Sequence, residues 1–77
     1  MIEFKAGQIL NHYSRYHTDE EELLASHIIT EVHPDALVLF MFYTKFPELG
    51  QRNPRLYARE YVEEEAEDNK FFYWRIE

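Results

Sequence analysis

Two β-strands joined by a tight turn are predicted by the stretch HIITEVHPDALVLFMFY, residues 27–43. Its first part is rich in β-branched residues, which favour strands. A turn is indicated at residues 33–36, because proline presets φ for the second turn position and aspartate suits the third. Residues 37–43 are an unbroken apolar run. We interpret that run as a central strand, which is either covered on both faces or one half of a contact surface.

The residues before this hairpin predict additional strands. Residues 2–6 alternate apolar and polar side chains up to Gly7, where a turn is expected, and residues 8–13 predict a second strand. The segment 18–26 is ambiguous. It opens with a capping box, Thr18 followed three residues later by Glu21, which predicts a short helix, but it runs directly into the β-branched strand.

The residues after the hairpin predict a long loop and then a second hairpin. Residues 44–54 hold two prolines and a glycine. Residues 56–62 and 70–76 alternate with a period of two, so we expect two paired strands, with Tyr57 facing away from the core and Leu56 facing it. Their acidic connection, residues 63–69, is either a strand end with a turn or a short helical turn, because glutamate-rich runs are poor strand formers.

These elements predict a mostly β fold, all-β or α+β. We expect a small, strongly bent antiparallel sheet or a half-open SH3-like barrel of about five strands, with or without one short helix near residues 18–26. A chain of 77 residues builds only one core, so residues 1–77 are predicted to form a single domain. The chain has no cysteine. A small core without disulfides makes a homo-oligomer a reasonable expectation.

Composition and motifs argue against several functional classes. Fifteen acidic and eight basic residues give a net charge of −7, which repels phosphate backbones and makes nucleic acid an improbable partner. Neither serine has the flanking glycines of a nucleophile elbow, and the spacings of the four histidines do not match a metal site. We therefore expect no enzyme, cofactor or metal. No apolar run reaches the length of a membrane span, so a cytoplasmic protein is expected.

Aromatic residues are more informative than motifs. Six tyrosines, six phenylalanines and one tryptophan are more than a core of this size buries, so some rings should reach the surface, where interface hot spots favour tyrosine and arginine. A basic stretch, residues 45–59, lies beside them. The leading hypothesis is a non-enzymatic module that binds a protein partner or itself. The candidate partner-binding residues are Tyr57, Arg59, Tyr61, Phe71, Tyr73, Arg52 and Arg55.

Two other functions remain open. An acidic inhibitor that imitates nucleic acid, of the kind made by phages and mobile elements, could act through two runs of carboxylates. That alternative uses Asp19, Glu20, Glu21, Glu22, Glu63, Glu64, Glu65, Glu67 and Asp68. A binder of RNA or single strands ranks third, because residues 55–59 and 71–75 alternate arginine with aromatic side chains as such surfaces do.

Overall fold

The computed structural model describes residues 2–15, 21–49, 53–68 and 71–77, without the side chains of residues 66–68. Five antiparallel strands form one sheet in the order β4-β3-β2-β1-β5. The sheet curls strongly into a half-barrel, which confirms the mostly β fold and is compatible with a small SH3-like barrel. The elements are β1 (Ile9–Ser14), β2 (Glu22–Val32), β3 (Ala36–Thr44), a 3-10 turn (Pro47–Leu49), β4 (Arg55–Ala58), α1 (Arg59–Asp68) and β5 (Phe72–Ile76).

The predicted hairpin is present as β2 and β3. The backbone N–H of His33 donates to the carbonyl oxygen of Ala36 at 2.8 Å and closes the turn. β3 lies between β2 and β4, so residues 37–43 belong to an internal strand as predicted. Only one of its faces is covered, because Leu37 and Leu39 are fully buried whereas Phe40 and others are exposed.

Of the two interpretations left open for residues 18–26, the short helix is not found where the structure describes that segment. Residues 22–26 belong to β2, and residues 18–20 lie outside the described residues. β2 pairs with β1 on one side and β3 on the other, so its backbone groups are satisfied across the sheet. Pairing with two neighbouring strands stabilises this segment as a strand more than the capping box stabilises it as a helix. Tertiary context therefore overrides a local signal here.

The second predicted hairpin is wrong. β4 ends at Ala58 and pairs with β3, whereas β5 pairs with β1, so the two strands lie at opposite edges of the sheet. The helix α1 occupies residues 59–68 between them. Alternation indicates strand period but not strand partner, and a glutamate-rich run favours helix over strand. Of the two interpretations of the acidic connection, the helical one is correct, although the helix begins earlier, at Arg59.

The prediction of a strand at residues 2–6 is wrong, since residues 2–5 are not paired with any strand of the sheet. Phe4 instead packs into the core with 5% of its surface exposed. Gly7 adopts a φ of 94°, a value that side-chain-bearing residues rarely adopt, and its N–H donates to the carbonyl of Ile29 at 2.7 Å. The predicted turn at Gly7 and the strand after it are confirmed.

The predicted loop after β3 contains a 3-10 turn and is anchored to the sheet. The side chain of Asn53 accepts from the N–H of Met41 and donates to its carbonyl, each at 2.8 Å. This pair of bonds takes the place of a ladder rung just before the start of β4, so the edge of β3 is satisfied there.

The core lies on the inner face of the half-barrel, where α1 closes the gap between β4 and β5. Val62 of α1 is fully buried there. The core cluster is Phe4, Leu10, Ile29, Leu37, Leu39, Val62 and Trp74. No helix in the described part of the chain is long and apolar enough to cross a membrane.

Candidate functional site

A cluster of polar and aromatic side chains joins α1 to the inner face of the sheet. The buried carboxylate of Glu65 accepts from the indole N–H of Trp74 at 3.3 Å and lies 3.4 Å from Nε2 of His12. The ring of His12 stacks on Trp74 with centroids 4.2 Å apart. Hydrogen bonding to Glu65 raises the pKa of Tyr61 to about 12. The carboxylate of Glu65, a candidate of the acidic alternative, is therefore buried and hydrogen bonded within the protein.

His27 is the deepest histidine of this cluster. Its Nδ1–H donates to the carbonyl of Leu10 at 3.2 Å, which leaves Nε2 as the unprotonated nitrogen, and that atom is buried without a hydrogen-bond partner. Burial lowers the pKa of His27 to about 4, against the raising effect of the bond to Leu10. Burial also lowers the pKa of His12, although Glu65 opposes the shift. Both histidines are therefore neutral packing groups at neutral pH.

Tyr57 completes the inner cluster and is oriented opposite to the prediction. Its ring meets Trp74 edge to face at 5.7 Å and His27 at 6.1 Å, so it faces the core. Its neighbour Leu56 points outward and is 71% exposed. The reversal has a packing reason: β4 is an edge strand, and a large ring from it reaches across to Trp74 of the opposite edge.

The outer face of β1 and β5 carries a ladder of tyrosine and arginine. Tyr13 and Tyr73 stack with centroids 5.5 Å apart, and the guanidinium of Arg75 lies 4.8 Å from the Tyr13 ring. Tyr73 and Arg75 both donate to the carboxylate of Glu21, and these bonds hold the pKa of Glu21 below its ordinary value. Tyr73 was a candidate for the partner-binding surface and Glu21 for the acidic alternative, but the two side chains are hydrogen bonded to each other. The positive charge of this ladder is already paired.

The other predicted candidates are scattered. Arg59 donates to Glu63 and to the carbonyl of Ile2, both at 3.0 Å, and so fastens α1 to the N-terminal segment. Arg55 lies over the Tyr57 ring at 5.1 Å. Exposed candidates are Tyr61, Glu64 and Phe71, and Glu22 pairs with Lys45. The positions outside the described residues are Asp19, Glu20 and Arg52, together with the side chains of Glu67 and Asp68.

A groove of about 440 Å³ opens beside the hairpin turn, where Pro34 and Asp35 face the start of α1. Its lining also includes Ala58, Arg59, Glu60 and Glu63. Because Arg59 is engaged by Glu63, the charge left in the groove is acidic and suits a cation. Among the described residues, no group of three or more metal-ligating side chains is assembled.

Several exposed apolar side chains lie on the outer face of β3 and its neighbours, a surface that we name the β3 patch. Phe40 stands opposite Ile28 of β2, and Leu56 of β4 stands opposite Val38. The exposed fractions are 44% for Phe40, 53% for Phe42, 44% for Tyr43 and 71% for Leu56. The β3 patch consists of Ile28, Val38, Phe40, Phe42, Tyr43 and Leu56.

The sequence analysis anticipated part of this patch, since one of its two interpretations made residues 37–43 half of a contact surface, but it placed Leu56 towards the core and did not single out Ile28. The only signal in the sequence was the unbroken apolar run of residues 37–43, because a strand with one face in solvent does not need apolar side chains on that face. A strand with one solvated face normally alternates with polar residues, so the absence of alternation indicates that the second face has something to contact. The tyrosine and arginine preference of hot spots directed attention to other positions instead.

No protein-family model, no curated protein and no solved structure matches this chain. The fold and surface define a small β half-barrel with a helix across its opening and one uncovered apolar sheet face. The function therefore has to be argued from that surface.

Proposed function

We propose that this chain is a protein-interaction module that docks a partner protein through the β3 patch. The observation that carries the proposal is a cluster of apolar side chains on one sheet face, of which Phe40, Phe42, Tyr43 and Leu56 are each between 44% and 71% exposed. Phe46 and Leu49, in the segment that follows β3, are exposed as well. With about 200 Å² for a whole aromatic side chain, the four exposed side chains of the patch leave on the order of 400 Å² of apolar surface in water. A typical monomer's largest patch reaches only about that size and is often functional.

The other two hypotheses receive less support from the described side chains. A nucleic-acid mimic needs free carboxylates in a row, but Glu21, Glu22 and Glu63 are each paired with a basic residue of this chain, and Glu65 is buried. A single-strand binder needs arginines that can reach phosphates, but Arg75 is paired with Glu21. Among the residues that the structure describes, none covers the exposed side chains of the β3 patch in a comparable way.

The test is affinity capture from the native host with wild-type bait and two variants matched in chemistry. Phe42→Ser removes an aromatic ring that is 53% exposed in the patch, and Phe71→Ser removes one that is 52% exposed outside it. We expect wild type and Phe71→Ser to capture the same protein and Phe42→Ser to lose it. A hot-spot ring contributes about 2 kcal/mol, so affinity measured with the purified partner should fall more than about tenfold.

Salt dependence gives a second readout for the same complex. An apolar interface should keep its affinity as salt rises, because screening over about 8 Å at physiological ionic strength acts only on charge pairs. The proposal is contradicted if Phe71→Ser is the more damaging change, or if affinity collapses with salt. The second result would point to the acidic alternative.

A further inference from the structure

We infer that the partner seated on the β3 patch is a second copy of this chain, related to the first by a twofold axis. This inference rests on the proposed function and names the occupant of the same surface. Two copies would pack the outer faces of their β3 strands against each other, with Phe40, Phe42 and Tyr43 at the centre. Twofold packing of this kind is isologous, so one self-complementary patch is sufficient.

The patch supplies about half of the area that each copy buries in a stable dimer interface. A standard stable interface buries about 800 Å² on each partner. The exposed apolar side chains of the β3 patch supply on the order of 400 Å² of this, taking about 200 Å² for a whole aromatic side chain. Backbone and the polar rim can supply the remainder, because rims of interfaces are polar.

The charges around the patch are arranged for self-association. The chain carries a net charge of −7, so two copies repel unless they meet where acidic side chains are few. The patch itself is uncharged. Glu31 of β2, opposite Val38, borders it at the end near the hairpin turn, and Lys45 borders it just beyond the other end of β3.

A twofold axis perpendicular to the strands reverses the direction of β3 in the second copy. Glu31 of one copy then lies towards Lys45 of the other, and the same contact occurs twice. Lys45 pairs with Glu22 of its own chain, but an ammonium has three donors and can accept a second carboxylate as partner. The opposite orientation, with β3 strands parallel, would bring Glu31 against Glu31. The charges therefore select the antiparallel arrangement.

The test is sedimentation of the purified full chain at increasing concentration. We expect wild type to pass from the 9.4 kDa monomer to twice that mass in the micromolar range, and Phe71→Ser to behave identically. Phe42→Ser should weaken the dimer more than about tenfold. If Phe42→Ser fails to give a cooperative melt, Leu56→Ser replaces it, because Leu56 is largely exposed and lies outside the core.

Charge exchange tests the orientation. Glu31→Lys alone should weaken the dimer about threefold, because exposed ion pairs stabilise only weakly, and adding Lys45→Glu should restore it. Failure of the double exchange to restore the dimer overturns the antiparallel arrangement, provided that Glu22→Lys is added so that residue 45 keeps an oppositely charged partner in its own chain. A wild-type monomer at every concentration, or a dimer that ignores both patch variants, overturns the inference. If an unlike protein is still captured through Phe42, the proposed function survives; if neither is seen, both fail.

Discussion

Acidification should destabilise this protein at a pH well above the range in which carboxylates titrate, because of His27. The side chain is 2% exposed, and burial lowers its pKa from 6.5 to about 4. In the unfolded chain the ring takes up a proton near pH 6.5, whereas in the folded protein it does so only near pH 4. The unfolded state therefore binds more protons between these values, and stability falls as the pH falls through that window.

The magnitude follows from the size of the shift. At 1.36 kcal/mol for each pKa unit, the folded state loses about 3 kcal/mol between pH 7 and pH 4, of which about 2 kcal/mol is lost by pH 5. His12, whose pKa burial also lowers, adds to the loss in the same direction. The carboxylates of Glu21 and Glu77 have pKa values below their ordinary 4.5, so their contributions disappear only at lower pH. A small domain has about 5 kcal/mol in total, so the effect should be large.

Urea unfolding at pH 7, 6, 5 and 4 measures the effect, with the fluorescence of Trp74 as the signal, since it is the single tryptophan and is buried. His27→Gln should flatten the dependence of stability on pH, and His33→Gln, a change at the exposed hairpin turn, should retain the wild-type slope. A titration of the histidine rings by NMR gives an independent reading that needs no variant. A folded-state midpoint for His27 near 6.5, or equal stability at pH 7 and pH 5, would refute the reasoning.

Two further predictions concern the core and the helix. Leu39 is fully buried in the internal strand, so Leu39→Asp should abolish folding by placing an unpaired charge there, and a cooperative melt close to wild type would contradict this. Glu65→Gln should cost about 2 kcal/mol of unfolding free energy, because it weakens charge-assisted bonds to buried donors. Its exposed neighbour supplies the control: Glu64→Gln should change stability by less than about 0.5 kcal/mol. Urea unfolding measures both, and equal effects would show that Glu65 does not hold α1.

The accuracy of the sequence-based prediction differs between elements for physical reasons. The hairpin of residues 27–43 was predictable because its turn chemistry and its strands are adjacent in sequence. The pairing of β5 with β1 was not, because alternation in residues 70–76 is equally compatible with any antiparallel neighbour. Local capping left a helix near 18–26 as one of two interpretations, but pairing with two neighbouring strands outweighs a cap.

The candidate site was predictable in kind but not in position. An excess of rings pointed to exposed aromatic surface, and the structure does expose several. Residue type alone placed Tyr57 outside, yet its ring fills the gap between the sheet edges against Trp74. One of the two interpretations of residues 37–43 had both faces of the strand covered, whereas Phe40 and Phe42 face solvent. Which ring is inside depends on sheet closure, which no local pattern encodes.

The pairing of β1 with β5 also constrains when the sheet can be completed during synthesis. Tyr13 and Glu77, which are hydrogen bonded at the outer face, lie 64 residues apart in the sequence. The hairpin of β2 and β3 needs no such distant segment, and local contacts form faster than distant ones. A growing chain can therefore assemble β1, β2 and β3 while the ribosome still holds residues 72–76. Until those residues emerge, β1 has one unpaired edge, and such an edge is open to any strand that arrives first.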